Sequence, residues 1–208
     1  MFFKENDVVL FQGDSVTDCG RNREDLYDLG VGYPLVISSL LYHKLAGMNV
    51  TFLNKGINGN RSCDLVARWK EDCLDLKPTV VSIMIGINDT WRGFDSNDPT
   101  SCEAYEANYR KILEQTAALG ARIIMMEPYV LPNPEDRKAW RADLDPKIQV
   151  CRHLAKEFGA ILVPTDGLMN AGFIATPDTY YSKDGVHPTY AGHGLIAEGW
   201  CRAVGIEV

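Results

Sequence analysis

The sequence has no run of lysine and arginine, no apolar stretch long enough to cross a bilayer, and no C-x-x-C pair among its six cysteines. The first absence, with a formal net charge of −7 over 208 residues, argues against a nucleic-acid partner, because phosphate backbones are held by clustered basic surface that releases counterions. The second argues against a membrane partner. The most apolar runs, Val80 to Ile87 and Ile161 to Val163, fall far short of the ~20 residues a spanning helix needs. The amino terminus, Met1-Phe2-Phe3-Lys4-Glu5-Asn6-Asp7, lacks the basic start and apolar stretch of a leader, so a cytoplasmic location is expected. Cys19, Cys63, Cys73, Cys102, Cys151 and Cys201 are scattered, which disfavours a zinc or redox motif and leaves free, mostly buried thiols as the reading.

What is present is an ordinary globular composition. At 46% hydrophobic and 24% charged, the chain can bury a core without disulfide or metal. Nothing resembles a linker, so residues 1–208 are expected to form one domain. Short β-rich apolar runs at Val8 to Phe11, Val50 to Leu53, Val80 to Ile85, Arg122 to Met126 and Ile161 to Val163 alternate with helical patterns. Those patterns span Pro34 to Leu45, Ser62 to Cys73, Cys102 to Leu119, Arg137 to Phe158 and Thr189 to Ala203. This alternation predicts an α/β fold with a parallel sheet covered on both faces. The connections Gly86 to Thr100 and Glu127 to Glu135 read as long loops at strand carboxyl ends, where open α/β sheets bind ligands. The second is stiffened by Pro128, Pro132 and Pro134.

The first strand runs into Gly13-Asp14-Ser15-Val16-Thr17-Asp18. Taken alone, this is a reactive serine in a tight turn or simply a helix cap, since Asp and Ser oxygens accept from first-turn N–H groups. Near the other end, Asp184-Gly185-Val186-His187-Pro188 sets an aspartate three residues before a histidine. In a short turn the carboxylate meets one imidazole nitrogen and leaves the other free to take a proton from Ser15. His43, His153 and His193 lie in helical patterns without such an aspartate, so His187 is the preferred base. Acyl transfer also needs donors for the oxyanion. Gly59, in Asn54-Lys55-Gly56-Ile57-Asn58-Gly59-Asn60, can supply a backbone N–H, and Asn88, in Gly86-Ile87-Asn88-Asp89, a side-chain amide, although both segments also read as plain turns. Each sits at a strand's carboxyl end or the last helix's start, positions that converge in a parallel sheet. Asp14 reads as a cap.

In this order, these segments resemble the blocks of the SGNH hydrolases, also called the GDSL lipase/esterase family, over almost the whole chain. The resemblance implies a three-layer α/β/α sandwich, flavodoxin-like, with a five-stranded parallel sheet. It maps the nucleophile onto Ser15, the oxyanion hole onto Ser15, Gly59 and Asn88, and the remaining catalytic pair onto Asp184 and His187. No Gly-x-Ser-x-Gly elbow of the α/β-hydrolase kind surrounds Ser15. The longer strings Phe11 to Arg21, Asn54 to Asn60 and Ser82 to Arg92 are similar to bacterial intracellular acetyl-xylooligosaccharide esterases. That likeness implies an acylated carbohydrate as the small-molecule substrate. Asn58, where serine is common, and Tyr180-Tyr181-Ser182-Lys183, where tryptophan often lies, depart from the pattern and bear on substrate preference.

Trp91, Arg92, Tyr180 and Tyr181 are candidate sugar-binding residues, since aromatic faces pack on pyranose rings, with plain packing as the alternative. No metal or organic cofactor is expected, for no ligand cluster or phosphate-binding loop is present. The lack of a long apolar surface stripe favours a short acyl group. A lysophospholipase, thioesterase or arylesterase on the same site, and a flavodoxin-like binding protein, are the competing readings. A homo-oligomer is expected, as for many α/β enzymes.

Overall fold

In the computed structural model, which describes residues 2–207, a parallel sheet is formed by β1 (Val8–Gly13), β2 (Thr51–Asn54), β3 (Val80–Met84), β4 (Arg122–Met126) and β5 (Ile161–Val163). The strand order is β2-β1-β3-β4-β5 among the described residues. Register runs through Leu10 opposite Leu53 on one side and opposite Val81 on the other, then Val81 opposite Ile123.

Both faces of these strands are covered, which is why they read as continuous apolar runs. Successive side chains point to opposite faces. Val9, Phe11, Phe52 and Val80 join a core beneath α2 (Tyr33–Tyr42), α7 (Thr165–Ile174) and α8 (Tyr190–Ala203). Leu10, Leu53, Val81 and Ile83 join a second core beneath α3 (Ser62–Asp72), α5 (Cys102–Ala118) and α6 (Arg141–Glu157). A polar residue on the first face, Ser82, is buried and accepts from the Trp200 indole N–H at 2.9 Å, so its hydroxyl is not stranded in the core. All six cysteines are free. No helix among the described residues is long and apolar enough to cross a membrane.

The strand boundaries expected from the sequence hold to within two residues, and α/β with a parallel sheet is the observed class. Three helical segments differ. The stretch Gly86 to Thr100, expected as a loop, contains α4 (Ile87–Asp95). Its apolar contacts are supplied from afar: Ile87 and Trp91 pack with Trp140, Leu144, Ile148 and Val186. The pattern read as one helix from Arg137 is instead a 3-10 turn, Glu135–Trp140, leading into α6. Helix α7 contains two glycines, Gly167 and Gly172, and was not visible as a helical pattern.

Reversal of strand order on either side of β1 opens a crevice at the carboxyl edge between β1 and β3. There the chain leaves β1 toward one face and β3 toward the other. The segments after β1, β2 and β3 all meet there.

Candidate active site

After β1 the chain turns at once into α1 (Ser15–Asp18). Asp14 caps it, its Oδ1 accepting from Val16 N–H at 3.0 Å, as expected. Burial pushes the Asp14 carboxyl up to about 7, against that hydrogen bond and the field of His187. Ser15, first in the helix, has an N–H with no intrahelical partner. Its Oγ lies 2.9 Å from His187 Nε2, and His187 Nδ1 lies 2.6 Å from Asp184 Oδ2. With the carboxylate at Nδ1, neutral His187 carries its proton there and presents an unprotonated Nε2 to the serine O–H. This is the tautomer a general base requires.

The turn holding Asp184 and His187 is pinned from two directions. Asp184 Oδ1 accepts from the Val186 and His187 N–H groups at 3.0 and 2.8 Å and from Ser182 Oγ at 3.1 Å. Partial burial works against ionisation of Asp184. The hydrogen bonds from the His187 side chain, His187 N–H and Val186 N–H outweigh it, and the carboxyl sits well below its ordinary range. His187 is correspondingly raised, first by its hydrogen bond to Asp184, against desolvation. From outside, the proline-rich connection after β4 donates to the turn's own carbonyls. Tyr129 Oη donates to Val186 O at 2.5 Å, Leu131 N–H to Gly185 O at 2.8 Å, Asn133 Nδ2 to Ser182 O at 3.0 Å and Arg137 Nε to Asp184 O at 3.2 Å.

Gly185 sits between these supports with φ of 83°, and a Cβ there would lie 2.3 Å from Asn133 O. Gly185→Ala therefore meets both a left-handed backbone and a backbone clash, which costs about 2 kcal/mol or more. The melting temperature is expected to fall by about 4–8 °C, read by circular dichroism. An unchanged melting curve would mean that the turn is not held as described.

The segment after β2 carries Gly59. It approaches α1 so closely that a Cβ on Gly56 would stand 2.3 Å from the Asp18 nitrogen. Arg68 of α3 fixes this segment by donating to Lys55 O at 2.8 Å, Asn60 Oδ1 at 2.8 Å and Gly13 O at 3.2 Å. Asn88, buried at the start of α4, donates from Nδ2 to Asn60 O at 3.0 Å. The second hydrogen of that amide has no acceptor among the described residues. The next residue, Asp89, is 0% exposed and accepts from Ser62 N–H at 3.0 Å and Ser62 Oγ at 2.6 Å, tying α4 to the start of α3. Arg68 and Asp89 carried no signal in the sequence, because what they tie together comes from separate segments, Gly13 lying 55 positions from Arg68 and Ser62 27 positions from Asp89.

A serine, base and carboxylate in line, with amide donors nearby, can carry out acyl transfer. A model of the GDSL-like Lipase/Acylhydrolase family matches residues 11–195. The chain belongs to this family.

This GDSL-family hydrolase is 36% identical over 207 residues to an acetylxylan esterase of Geobacillus stearothermophilus, covering 96% of this chain and 94% of that one. It is 29% identical over 165 residues to an arylesterase of Vibrio mimicus, covering 79% and 73% of the two chains. Among solved structures, a putative GDSL-like lipase from Parabacteroides merdae superposes with a TM-score of 0.93 at 36% identity, covering 98% and 97% of the two chains. The acetyl xylan esterase structure from Geobacillus stearothermophilus gives 0.90 at 34% identity, covering 100% and 98%. The hydrolase is an α/β carboxylic ester hydrolase.

The four sugar-binding candidates scatter in the folded hydrolase. Trp91 stays at the site, its ring 5.9 Å from the His187 ring and 5.2 Å from Trp140, with the Arg137 guanidinium over both indoles. Arg92 is turned to Asp95. Tyr181 is wedged against Gly172 of α7, and its carbonyl accepts from Thr189 N–H at the start of α8. Tyr180 stands edge-on to Tyr181, 5.0 Å away. Neither tyrosine lines the two clefts that meet at His187. One cleft, of about 410 Å³, is polar and lined by Ser15, Asp18, Arg21, Arg23 and Asn58. The other, of about 540 Å³, is largely apolar and includes Val31, Pro188 and Tyr190. Among the described residues no three His, Cys, Asp or Glu side chains converge in the manner of a metal site.

Proposed function

We propose that the hydrolase removes acetyl groups from carbohydrate, acetylated xylo-oligosaccharides foremost, through an acyl-enzyme on Ser15. The observation that carries this reading is the continuous line Ser15 Oγ, His187, Asp184, at 2.9 and 2.6 Å, opening onto a cleft lined with charged and amide groups. His187 Nε2 takes the Ser15 proton as Oγ attacks the ester carbonyl. The Ser15 and Gly59 N–H groups and the free Asn88 amide hydrogen receive the oxyanion. His187 then gives the proton to the departing sugar oxygen, and water, activated by the same nitrogen, releases acetate.

The acetylxylan esterase from Geobacillus stearothermophilus supports the substrate class at 36% identity. In that enzyme, alanine replacements of a serine and of a histidine are described as catalytic mutants. An arylesterase is the second reading, favoured by the relative from Vibrio mimicus and by the apolar shelf of Val31, Pro188 and Tyr190 beside His187.

Acetate release from acetylated xylo-oligosaccharides, run beside hydrolysis of 4-nitrophenyl octanoate, separates the readings. The sugar ester is expected to be turned over and the octanoate to be poor. Preference for the octanoate would leave the mechanism standing and remove the sugar.

A further inference from the structure

The cleft beside Ser15 contains a carboxylate that the proposed chemistry leaves unused. Asp18 ends α1 three residues past Ser15 and is 4% exposed. Its Oδ2 accepts from Asn58 N–H at 3.0 Å and from the Arg23 guanidinium. Its Oδ1 has no donor among the described residues, although Asp18 lines the cleft together with Ser15, Arg23, Asn58 and His187. That oxygen is not sealed off from solvent, so a donor in the cleft can reach it. An ionised carboxylate only accepts, so what it takes from the cleft is an O–H or N–H. Arg23 is half-exposed, with one nitrogen engaged by Asp18, which leaves N–H donors directed outward. The Asn58 side chain offers a carbonyl and an amide.

Acceptor and donor thus stand side by side at a spacing fixed by one ion pair. Two neighbouring hydroxyls, each both donor and acceptor, match that pair; an alkyl chain or an aryl ring has nothing to offer it. We propose that Asp18, with Arg23 and Asn58, forms a leaving-group subsite that reads a vicinal diol on the alcohol side of the ester. Asp18 Oδ1 accepts from one hydroxyl while Arg23 donates to its neighbour. This rests on the carbohydrate-ester reading above and assigns that substrate's recognition to named residues.

The subsite must be separated from a purely structural role, since Asp18 also holds the Asn58 backbone next to Gly59. Second-order rate constants, kcat/KM, are measured for wild type, Asp18→Asn and Arg23→Gln on an acetylated xylo-oligosaccharide and on 4-nitrophenyl acetate, whose leaving group carries no diol. The ratio of sugar ester to aryl ester is expected to fall about 10- to 100-fold in Asp18→Asn and about 10-fold in Arg23→Gln. A structural role moves both esters alike, so an unchanged ratio overturns the subsite. If Asp18→Asn does not fold, as judged by circular dichroism, the half-exposed Arg23 decides alone, and an unchanged ratio in Arg23→Gln overturns it. Wild type that hydrolyses 4-nitrophenyl acetate but frees no acetate from the sugar overturns the carbohydrate reading and the subsite with it. That failure is visible before any variant is compared.

Discussion

Ser15→Ala is expected to lower kcat about ten-thousand-fold or more on every ester the enzyme accepts, while leaving the fold intact. The asymmetry follows from what the hydroxyl does. Its bond to His187 Nε2 at 2.9 Å is the link from the cleft to the Asp184–His187 pair, and no other hydroxyl bonds that nitrogen among the described residues. Helix α1 does not depend on it, because the cap comes from Asp14 to Val16 N–H and alanine is an excellent helix residue. Backbone N–H donors would remain, so a small residual rate above water is expected. The checks are steady-state acetate release, labelling by a fluorophosphonate followed by mass spectrometry, and a melting curve. A variant that retains a tenth of the wild-type rate, or that still takes up the label, would remove Ser15 from the mechanism.

A comparable loss, about ten-thousand-fold at neutral pH, is expected for Asp184→Asn. Asparagine at that position sets an N–H where Oδ2 now receives His187 Nδ1–H, driving the ring to the tautomer whose proton lies on Nε2, toward the serine. Turned the other way, the amide would point its N–H groups at the Val186 and His187 N–H groups and at Ser182, which Oδ1 now accepts from. The pH dependence carries a second, independent sign. In the proposed mechanism His187 works unprotonated, and Asp184 holds its pKa above the ordinary value of about 6.5. Wild-type kcat/KM should therefore decline as the pH drops through a point above that value. Without the carboxylate the imidazolium loses its main support, and the residual activity of Asp184→Asn should hold to lower pH. An acid limb in the same place for both proteins would show that another group controls it.

Much of this was readable from local pattern. The β1, β3 and β4 runs are apolar because both faces of the sheet are buried, and that leaves a direct trace in composition. Ser15 and the Asp184/His187 spacing are equally local, since four residues of one turn bring the carboxylate to the imidazole. What escaped depends on contacts between distant segments. Helix α4 is short, contains Gly93, and owes its packing to Trp140 and its neighbours. The connection from Glu127 to Glu135 showed only its prolines, whereas its role lies in Tyr129, Leu131 and Asn133 donating to carbonyls of the turn at 182–186. A carbonyl acceptor is the same in every residue and leaves no mark in the sequence. For Tyr181 the packing alternative is the one the fold favours, since it lies against Gly172, whereas Tyr180 is 53% exposed; proximity to a catalytic motif in the chain does not say which way an aromatic faces.

The proposed nucleophile and its base are separated by 172 positions in the chain, and this orders events during synthesis. While a ribosome is still extending the chain, Ser15 can already sit at the end of its strand, yet no base exists to activate it. The turn at 182–187 and the helix after it follow all five strands in the chain and so arrive when every strand is available for pairing. Hydrolytic capacity should therefore switch on late and abruptly, when this segment docks on a sheet that is otherwise complete. Recovery of esterase activity would then time the closing step of folding, where circular dichroism would register mainly the earlier ones.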